Sequence, residues 1–212
     1  MLSCNNNKSS NTITREQETK KAAPADSSVK TKTIIFFGNS LTAGYGVDPS
    51  EAYPALIQNT IDSLHLNYKV INAGVSGETS SGGYGRIDWI LRQPVDVFVL
   101  ELGGNDGLRG IPLSETKKNL QAIIDRVKTK YPNAKLMLEG MQIPPNMGQQ
   151  YAIEFKNIYP DLASKNDILL VPFLLKNVGG DKKLKQQDGV HPTPEGHKIL
   201  AQNVWEVLKD IL

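Results

Sequence analysis

The sequence contains a single cysteine, Cys4, among its 212 residues. One cysteine excludes an internal disulfide and a Cys-x-x-Cys redox or zinc site, so packing must stabilise the fold. The sequence also has no run of the ~18 consecutive apolar residues that a membrane-spanning helix needs. Its charge is nearly balanced, with 24 Lys and Arg against 22 Asp and Glu. Because a nucleic-acid-binding surface is strongly basic, we expect no nucleic-acid partner.

Residues 1–32 are predicted to form a disordered tail, because residues 5–32 have almost no large apolar side chains. The first four residues, ending at Cys4, resemble the end of a bacterial lipoprotein signal, in which the cysteine is acylated. This predicts a periplasmic or cell-envelope protein tethered to a membrane through Cys4. The alternative is a cytoplasmic protein with a free thiol in an unstructured tail.

From residue 33 onward, short apolar or β-branched runs alternate with segments of helical periodicity, which is typical of a parallel α/β sheet. We therefore predict one domain over residues 33–212, with three α/β/α layers and a five-stranded parallel sheet. The predicted strands are Thr33–Phe37, Lys69–Ala73, Val95–Leu102, Ala134–Glu139 and Ile168–Pro172. The predicted helices are Tyr53–Leu64, Tyr84–Leu91, Ser114–Lys130, Ile153–Lys165 and a last helix capped by Thr193.

Polar, glycine-rich segments follow four of these strands. In open parallel sheets, ligands bind outside the carboxyl ends of the strands, so these segments are expected to converge on one edge and form an active site. The four segments are Gly38–Leu41, Gly74–Thr79, Gly103–Asp106 and, after a further stretch, Asp188–His191.

Ser40 and His191 are the candidates for a nucleophile and its general base, with Asp188 orienting the histidine. A serine hydroxyl attacks efficiently only when a base removes its proton, and a carboxylate holds that base in one tautomer. Of the other two histidines, His65 fits a helix end and His197 lies on a different side of the last helix. Each feature also has a simpler reading, since a serine after a strand often caps a helix and an Asp-x-x-His loop can serve capping or metal binding.

An oxyanion hole is available in the same segments. The backbone amides of Ser40 and Gly77 and the side-chain amide of Asn105 supply three donors for the charge on a carbonyl oxygen. The alternative for Asn105 is a turn residue that tolerates a left-handed conformation.

In this order, the four segments resemble the conserved blocks of the SGNH (GDSL) hydrolase family, and the resemblance covers roughly residues 33–212. Residues 72–79 and 101–110 are especially similar to the bacterial acyl-CoA thioesterase I, lysophospholipase and arylesterase branch. The resemblance implies a flavodoxin-like sheet, Ser40 as nucleophile, Asp188 and His191 as its catalytic partners, and Gly77 and Asn105 as oxyanion donors. It implies neither a metal nor an organic cofactor. The family usually has Asp at the position of Asn39, which alters local hydrogen bonding but not the predicted reaction class.

Two segments beside the predicted site, Gly107–Pro112 and Met141–Met147, mix apolar side chains with Gly or Pro. We expect Leu108, Ile111, Ile143 and Pro144 to wall a groove for the acyl chain of a small-molecule ester or thioester. The simpler reading is that these residues only pack the loops against the core.

Three other functions compete with acyl-ester hydrolysis. Within the enzyme class, the alternative is a carbohydrate O-acetyl esterase. From other classes, the alternatives are a non-catalytic ligand-binding lipoprotein and a nucleotide-binding protein. No complete Gly-x-Gly-x-x-Gly or Gly-Lys-Ser/Thr phosphate loop supports the last, and no Gly-x-Ser-x-Gly elbow supports an ordinary α/β-hydrolase.

Overall fold

The computed structural model describes residues 1–4, 30–144 and 148–212. Most of the predicted tail, residues 5–29, therefore lies outside the described residues. Within them, no helix is long and apolar enough to cross a membrane.

The predicted five-stranded parallel sheet is present and consists of β1 (Lys32–Gly38), β2 (Tyr68–Gly74), β3 (Val97–Glu101), β4 (Lys135–Glu139) and β5 (Leu169–Val171). All pairings between neighbouring strands are parallel, and the strand order is β2-β1-β3-β4-β5. This order is that of a flavodoxin-like sheet, whose topological switch point lies between β1 and β3.

The described residues contain seven α-helices beside the sheet: α1 (Ser40–Ala43), α2 (Tyr53–Ser63), α3 (Ser80–Ile90), α4 (Gly104–Leu108), α5 (Leu113–Lys130), α6 (Gln149–Asn166) and α7 (Pro194–Leu208). Helices α2 and α7 pack against each other, while α5 packs against both α3 and α6. Two short helices, α1 and α4, begin directly beyond the ends of β1 and β3.

The central strands are covered on both faces. Residues Ile34–Phe37 of β1 have no exposed surface, and all five residues of β3 are buried. A strand buried on both faces is an uninterrupted apolar run, as both sequences are. This rigid centre fixes the positions of the loops that follow β1 and β3.

Helices α3 and α6 each begin four residues earlier than the apolar periodicity predicts. Helix α3 begins at Ser80 because the hydroxyl of Thr79 accepts a hydrogen bond from Gly82 N and caps the helix. Helix α6 begins at Gln149 and contains Pro160. The first turn of α3, Ser80–Gly83, adds no apolar residue to the pattern, and α6 begins with two glutamines, so the prediction misses both starts.

Candidate active site

The loops after β1 and β3 meet the loop before α7 at the switch point of the sheet. Ser40 begins α1, Asn105 lies in the first turn of α4, and His191 lies just before the start of α7. The structure therefore brings together three of the four polar segments that the sequence places at strand ends. The fourth segment, after β2, lies beside them through a hydrogen bond from Asn105 Nδ2 to Glu78 O, 2.9 Å long.

Ser40 occupies the first position of α1, where its hydroxyl faces the histidine loop. Asn39 caps this helix, and its side-chain Oδ1 accepts a hydrogen bond from Leu41 N at 3.0 Å. Gly38 must lack a side chain, because a Cβ there would collide with Thr42 Oγ1 and Glu101 Oε2. The turn after β1 is therefore tight enough to place the serine at the edge of the sheet.

The side chains of Ser40, His191 and Asp188 form a continuous chain of contacts. Ser40 Oγ lies 2.9 Å from His191 Nε2, and His191 Nδ1 lies 2.6 Å from Asp188 Oδ2. An ionised carboxylate can only accept hydrogen bonds, so Nδ1 carries the hydrogen and Nε2 is left to accept the serine proton. This is the tautomer that a general base for Ser40 needs.

Asp188 is held in its ionised form by its own loop. The hydrogen bond from the His191 side chain, together with backbone N–H donors from Val190 and His191, lowers the pKa of Asp188 to about 2. Gly189 adopts a φ of +68° between the two residues, which a residue with a side chain rarely adopts. The loop is therefore built to hold one negative charge against the histidine.

The three predicted oxyanion donors differ in what the structure shows of them. The N–H of Ser40 belongs to the first turn of α1, whose amides have no acceptor within the helix. One hydrogen of Asn105 Nδ2 is used on Glu78 O, which leaves the other for a ligand. Gly77 adopts a φ of +79°, and its carbonyl accepts a hydrogen bond from Arg109 Nη2. Ser40 and Asn105 line the cavity described below, whereas Gly77 is not among the described residues that line it.

Two residues that the sequence analysis did not single out support the histidine. The ring of Tyr45 lies 4.5 Å from that of His191, centroid to centroid. Gln186 Nε2 donates hydrogen bonds to Tyr45 O and Pro192 O, and Gln186 N donates to His191 O. Gln186 thus ties the histidine loop to the loop after α1. The contacts that Tyr45 makes with Gln186 and His191 join residues about 140 positions apart, so no local sequence pattern could reveal them.

A cavity of about 600 Å³ opens at Ser40 and His191. Of the four residues expected to wall a groove, Leu108, Ile143 and Pro144 lie in its lining, whereas Ile111 is not among the described lining residues. The carbonyl of Ile111 accepts a hydrogen bond from Tyr151 Oη. Residues 145–147 of the second predicted wall segment lie outside the described residues. The segment after β5, which the sequence analysis missed, supplies part of the wall. The main apolar lining residues are Leu108, Met141, Ile143, Phe173, Leu175 and Val190.

The charged residues that line this cavity are cationic. Lys176 and Lys185 are part of the lining, and no Asp or Glu is among the described lining residues. Lys185 is half-buried, and no described carboxylate forms an ion pair with it. The cavity therefore combines an apolar wall with a positive charge. Across the ranges 1–4, 30–144 and 148–212, no three His, Cys, Asp or Glu side chains form a group suited to a metal ion.

The family model of the GDSL-like lipase/acylhydrolase family matches residues 36–199. Two curated relatives are similar over most of their length. An esterase, TesA, of Pseudomonas aeruginosa is 37% identical over 182 residues, covering 85% of this chain and 90% of that protein. The thioesterase 1/protease 1/lysophospholipase L1 of Escherichia coli K12 is 38% identical over 193 residues, covering 91% of this chain and 88% of that protein.

A solved structure shows the same fold. The psychrotrophic esterase EstA from Pseudoalteromonas, inhibited by monoethylphosphonate, superposes with a TM-score of 0.79 at 31% identity. The match covers 84% of this chain and 97% of EstA. Taken with the family model, which spans the strand ends and the histidine loop, these similarities show that the chain belongs to the GDSL-like lipase/acylhydrolase family.

Proposed function

We propose that this protein is a serine esterase and thioesterase that hydrolyses acyl esters through an acyl-enzyme on Ser40. The observation that carries the proposal is the chain of contacts from Ser40 through His191 to Asp188 at the mouth of an apolar cavity. The relatives named as an esterase and as a thioesterase and lysophospholipase support ester and thioester bonds as the target.

The proposed reaction has two halves. In the first, Ser40 Oγ bonds to the carbonyl carbon while its proton moves to His191 Nε2, and the leaving group then departs with that proton. In the second, water gives a proton to His191 and attacks the acyl-enzyme. The bond to Ser40 Oγ breaks, the carboxylic acid is released, and the proton returns to the serine.

Asp188 and the oxyanion donors act on charges that exist only during the reaction. Because the pKa of Asp188 lies near 2, the carboxylate stays ionised at working pH and stabilises the imidazolium that forms in each half. Ser40 N, Gly77 N and Asn105 Nδ2 are the proposed donors to the oxyanion of the tetrahedral intermediate.

The cavity favours an acyl chain over a sugar ring. Its main lining side chains are aliphatic, Met or Phe, which accept a flexible hydrocarbon chain, and a sugar would need more polar partners. The two lysines at the wall favour a substrate that also carries an anionic group. An acyl ester or thioester with an anionic leaving group fits both features.

The activity should therefore rise with acyl chain length. Each methylene that the cavity buries is expected to raise kcat/KM by about fourfold, because it transfers about 0.8 kcal/mol from water. Leu108→Ser and Ile143→Ser should flatten this rise from acetyl toward medium-chain p-nitrophenyl esters.

The matched control is Ile153→Ser. Ile153 is 48% exposed, about as exposed as Leu108 at 46%, but it lies on α6 and does not line the cavity. Its chain-length profile should equal that of the wild type. A preference for acetyl esters, or for an acetylated oligosaccharide over every lipid-like substrate, would overturn the acyl-groove proposal in favour of the carbohydrate O-acetyl esterase.

We also propose that the protein is held at a membrane by a lipid on Cys4. The proposal rests on the resemblance of residues 1–4 to the end of a lipoprotein signal, and Cys4 is exposed.

Protein expressed in its native host with its natural leader should partition into detergent and carry a lipid-modified Cys4. Cys4→Ser, expressed in the same way, should partition into the aqueous phase. An unmodified, water-soluble wild-type product would reject the tether and favour the free-thiol alternative.

A further inference from the structure

A group of buried polar side chains lies directly beneath the turn that carries Ser40. Two of its members are carboxyls at the carboxyl ends of neighbouring strands, Glu101 on β3 and Glu139 on β4. Neither has any exposed surface. Neither carboxyl is among the predicted site residues, and the proposed reaction uses neither. The group consists of Asn39, Thr42, Tyr53, Glu101 and Glu139, each at most 3% exposed.

Two hydroxyls connect the two carboxyls. Glu101 Oε2 lies 2.9 Å from Thr42 Oγ1, Thr42 Oγ1 lies 3.0 Å from Tyr53 Oη, and Tyr53 Oη lies 2.9 Å from Glu139 Oε2. All three distances are those of hydrogen bonds between oxygen atoms. Each contact needs one hydrogen atom between its two oxygens.

The number of hydrogens that the three contacts need determines how many protons Glu101 and Glu139 carry. The hydroxyls of Thr42 and Tyr53 supply two hydrogens for three contacts, so the third must come from a carboxyl proton. With both carboxyls ionised, one contact would lack a hydrogen and two charges would be buried together. With both carboxyls protonated, one carboxyl hydrogen would be left over from these three contacts. A single shared proton satisfies every contact.

The donors around Glu101 place the negative charge there. Asn39 N donates to Oε2 at 3.0 Å, Asn39 Nδ2 donates to Oε1 at 2.7 Å, and the backbone of Thr42 donates as well. Glu139, by contrast, has only Tyr53, and its Oε1 has no partner among the described residues. Burial raises the pKa of Glu139 well above its ordinary value, with the charge of Glu101 adding to the effect. Burial raises the pKa of Glu101 only to about 7, because its hydrogen bonds counteract desolvation.

Among the residues that the structure describes, no cation pairs with Glu101 or Glu139. Four other titratable groups lie nearby, on α3, α4, α6 and α7: Arg86, Asp106, Tyr159 and His197. The Arg86 guanidinium is paired with Glu78, and Asp106 accepts from Ser80. Tyr159 Oη donates to Leu102 O. Burial lowers the pKa of His197 to about 4, so this histidine is neutral.

We propose that Glu101 and Glu139 share one proton, which resides on Glu139, and that the charge left on Glu101 positions Ser40 through Asn39. The inference rests on the proposed role of Ser40. Glu101 holds both nitrogens of Asn39, and this fixes Asn39 Oδ1 as the cap that accepts from Leu41 N. The first turn of α1, with Ser40 in it, is therefore anchored to a buried charge.

The same geometry explains why an amide stands at position 39. An Asp there would place a carboxylate oxygen about where Nδ2 now lies, 2.7 Å from Glu101 Oε1. Two acceptors at that distance repel unless a second proton lies between them. Asn39 supplies the hydrogen permanently, so the anchor does not depend on taking up that proton.

Two glutamine variants distinguish the roles of the two carboxyls, Glu101 and Glu139. Gln at position 139 mimics a protonated carboxyl, since its amide can donate to Tyr53 Oη, and Glu139→Gln should keep kcat within about twofold at pH 8. In Glu101→Gln, the amide oxygen and the NH2 group would both face hydrogen-bond donors, and the NH2 group cannot accept from them. If the side-chain amide of Asn39 flipped so that its oxygen accepted from the Gln NH2 group, that oxygen could no longer accept from Leu41 N and cap α1. Glu101→Gln should therefore lower kcat by about tenfold to a hundredfold.

Placing the negative charge on residue 39, which contacts residue 101, should restore the lost kcat. In Asn39→Asp/Glu101→Gln, the new carboxylate accepts from both Leu41 N and the Gln amide, and kcat should return to within about fivefold of the wild type. Asn39→Asp alone should lose kcat as the pH rises, because the extra proton that its carboxyl pair needs is released. The kcat of the wild type should stay constant over the same alkaline range.

Infrared difference spectroscopy reads the proton without relying on activity. Above about pH 7, the wild type and Glu101→Gln should show the carbonyl band of one protonated carboxyl, and Glu139→Gln should lack it. Because this band does not involve Ser40, its outcome stands even where the proposed acyl-enzyme fails. Three results would overturn the inference. They are equal losses of kcat in the two Gln variants, a kcat of Asn39→Asp that does not fall as the pH rises, and a wild type without the carbonyl band. Should Glu101→Gln not fold, as judged by circular dichroism, Asn39→Asp and the band still decide it.

Discussion

Replacing Ser40 with alanine is expected to lower kcat by at least about 10⁴. The hydroxyl lies 2.9 Å from His191 Nε2, and its removal leaves the base without a nucleophile to activate. His191→Ala should cost a similar amount, because the serine is a weak nucleophile without its base. The double variant should be little worse than either single variant, since the two residues act as a unit.

Steady-state hydrolysis of a p-nitrophenyl ester measures these losses. Ser76→Ala is the matched control, because Ser76 is exposed in the loop after β2 and does not line the cavity. It should keep the wild-type kcat. A Ser40→Ala variant that keeps more than about a tenth of wild-type kcat would be incompatible with a serine nucleophile at this position.

Asn105→Ala is expected to reduce kcat by roughly 10² to 10³ with a modest change in KM. Glu78 O holds one hydrogen of Asn105 Nδ2, so the other is already directed when the substrate arrives. A donor placed in advance stabilises the charge that develops on the carbonyl oxygen more than it stabilises the bound ester. The loss therefore falls on kcat.

Asn105→Asp separates the donor from the shape of the side chain. It preserves the volume at position 105 but removes both amide hydrogens, so its kcat should be at least as low as that of Asn105→Ala. A variant that loses affinity but keeps kcat would identify Asn105 as a substrate-positioning residue instead.

Much of the fold follows from the sequence because the strands are short apolar runs between polar segments. Each predicted strand overlaps an observed one, and the ends of β3 differ by two residues or fewer. Helices α1 and α4 were not predicted, since Ser40–Ala43 and Gly104–Leu108 are too short to show a helical period. Such short helices form because the ends of buried strands fix where they begin.

The site was predictable to the extent that strand ends determine it. Ser40, Asn105 and His191 converge because parallel strands deliver their following loops to one edge. Their catalytic roles stay predictions. Phe173 and Leu175 were missed as cavity residues, because their place in the wall depends on how the segment after β5 folds back.

Glu101 and Glu139 show another limit of sequence reasoning. Each ends an apolar strand, where a charged residue normally marks the point at which the chain meets solvent. Only the positions of Thr42, Tyr53 and Asn39 in the fold reveal that both carboxyls are buried and linked.

Mass spectrometry after treatment with a fluorophosphonate tests the acyl-enzyme on Ser40 most directly. A phosphonate traps the serine that attacks it, and the relative EstA is inhibited by monoethylphosphonate. The adduct should be found on Ser40 and should be absent from His191→Ala treated for the same time. Ser80 should remain unlabelled, because it is buried and donates its hydroxyl hydrogen to Asp106. An adduct on Ser76 or Ser80, with Ser40 unmodified, would contradict the account.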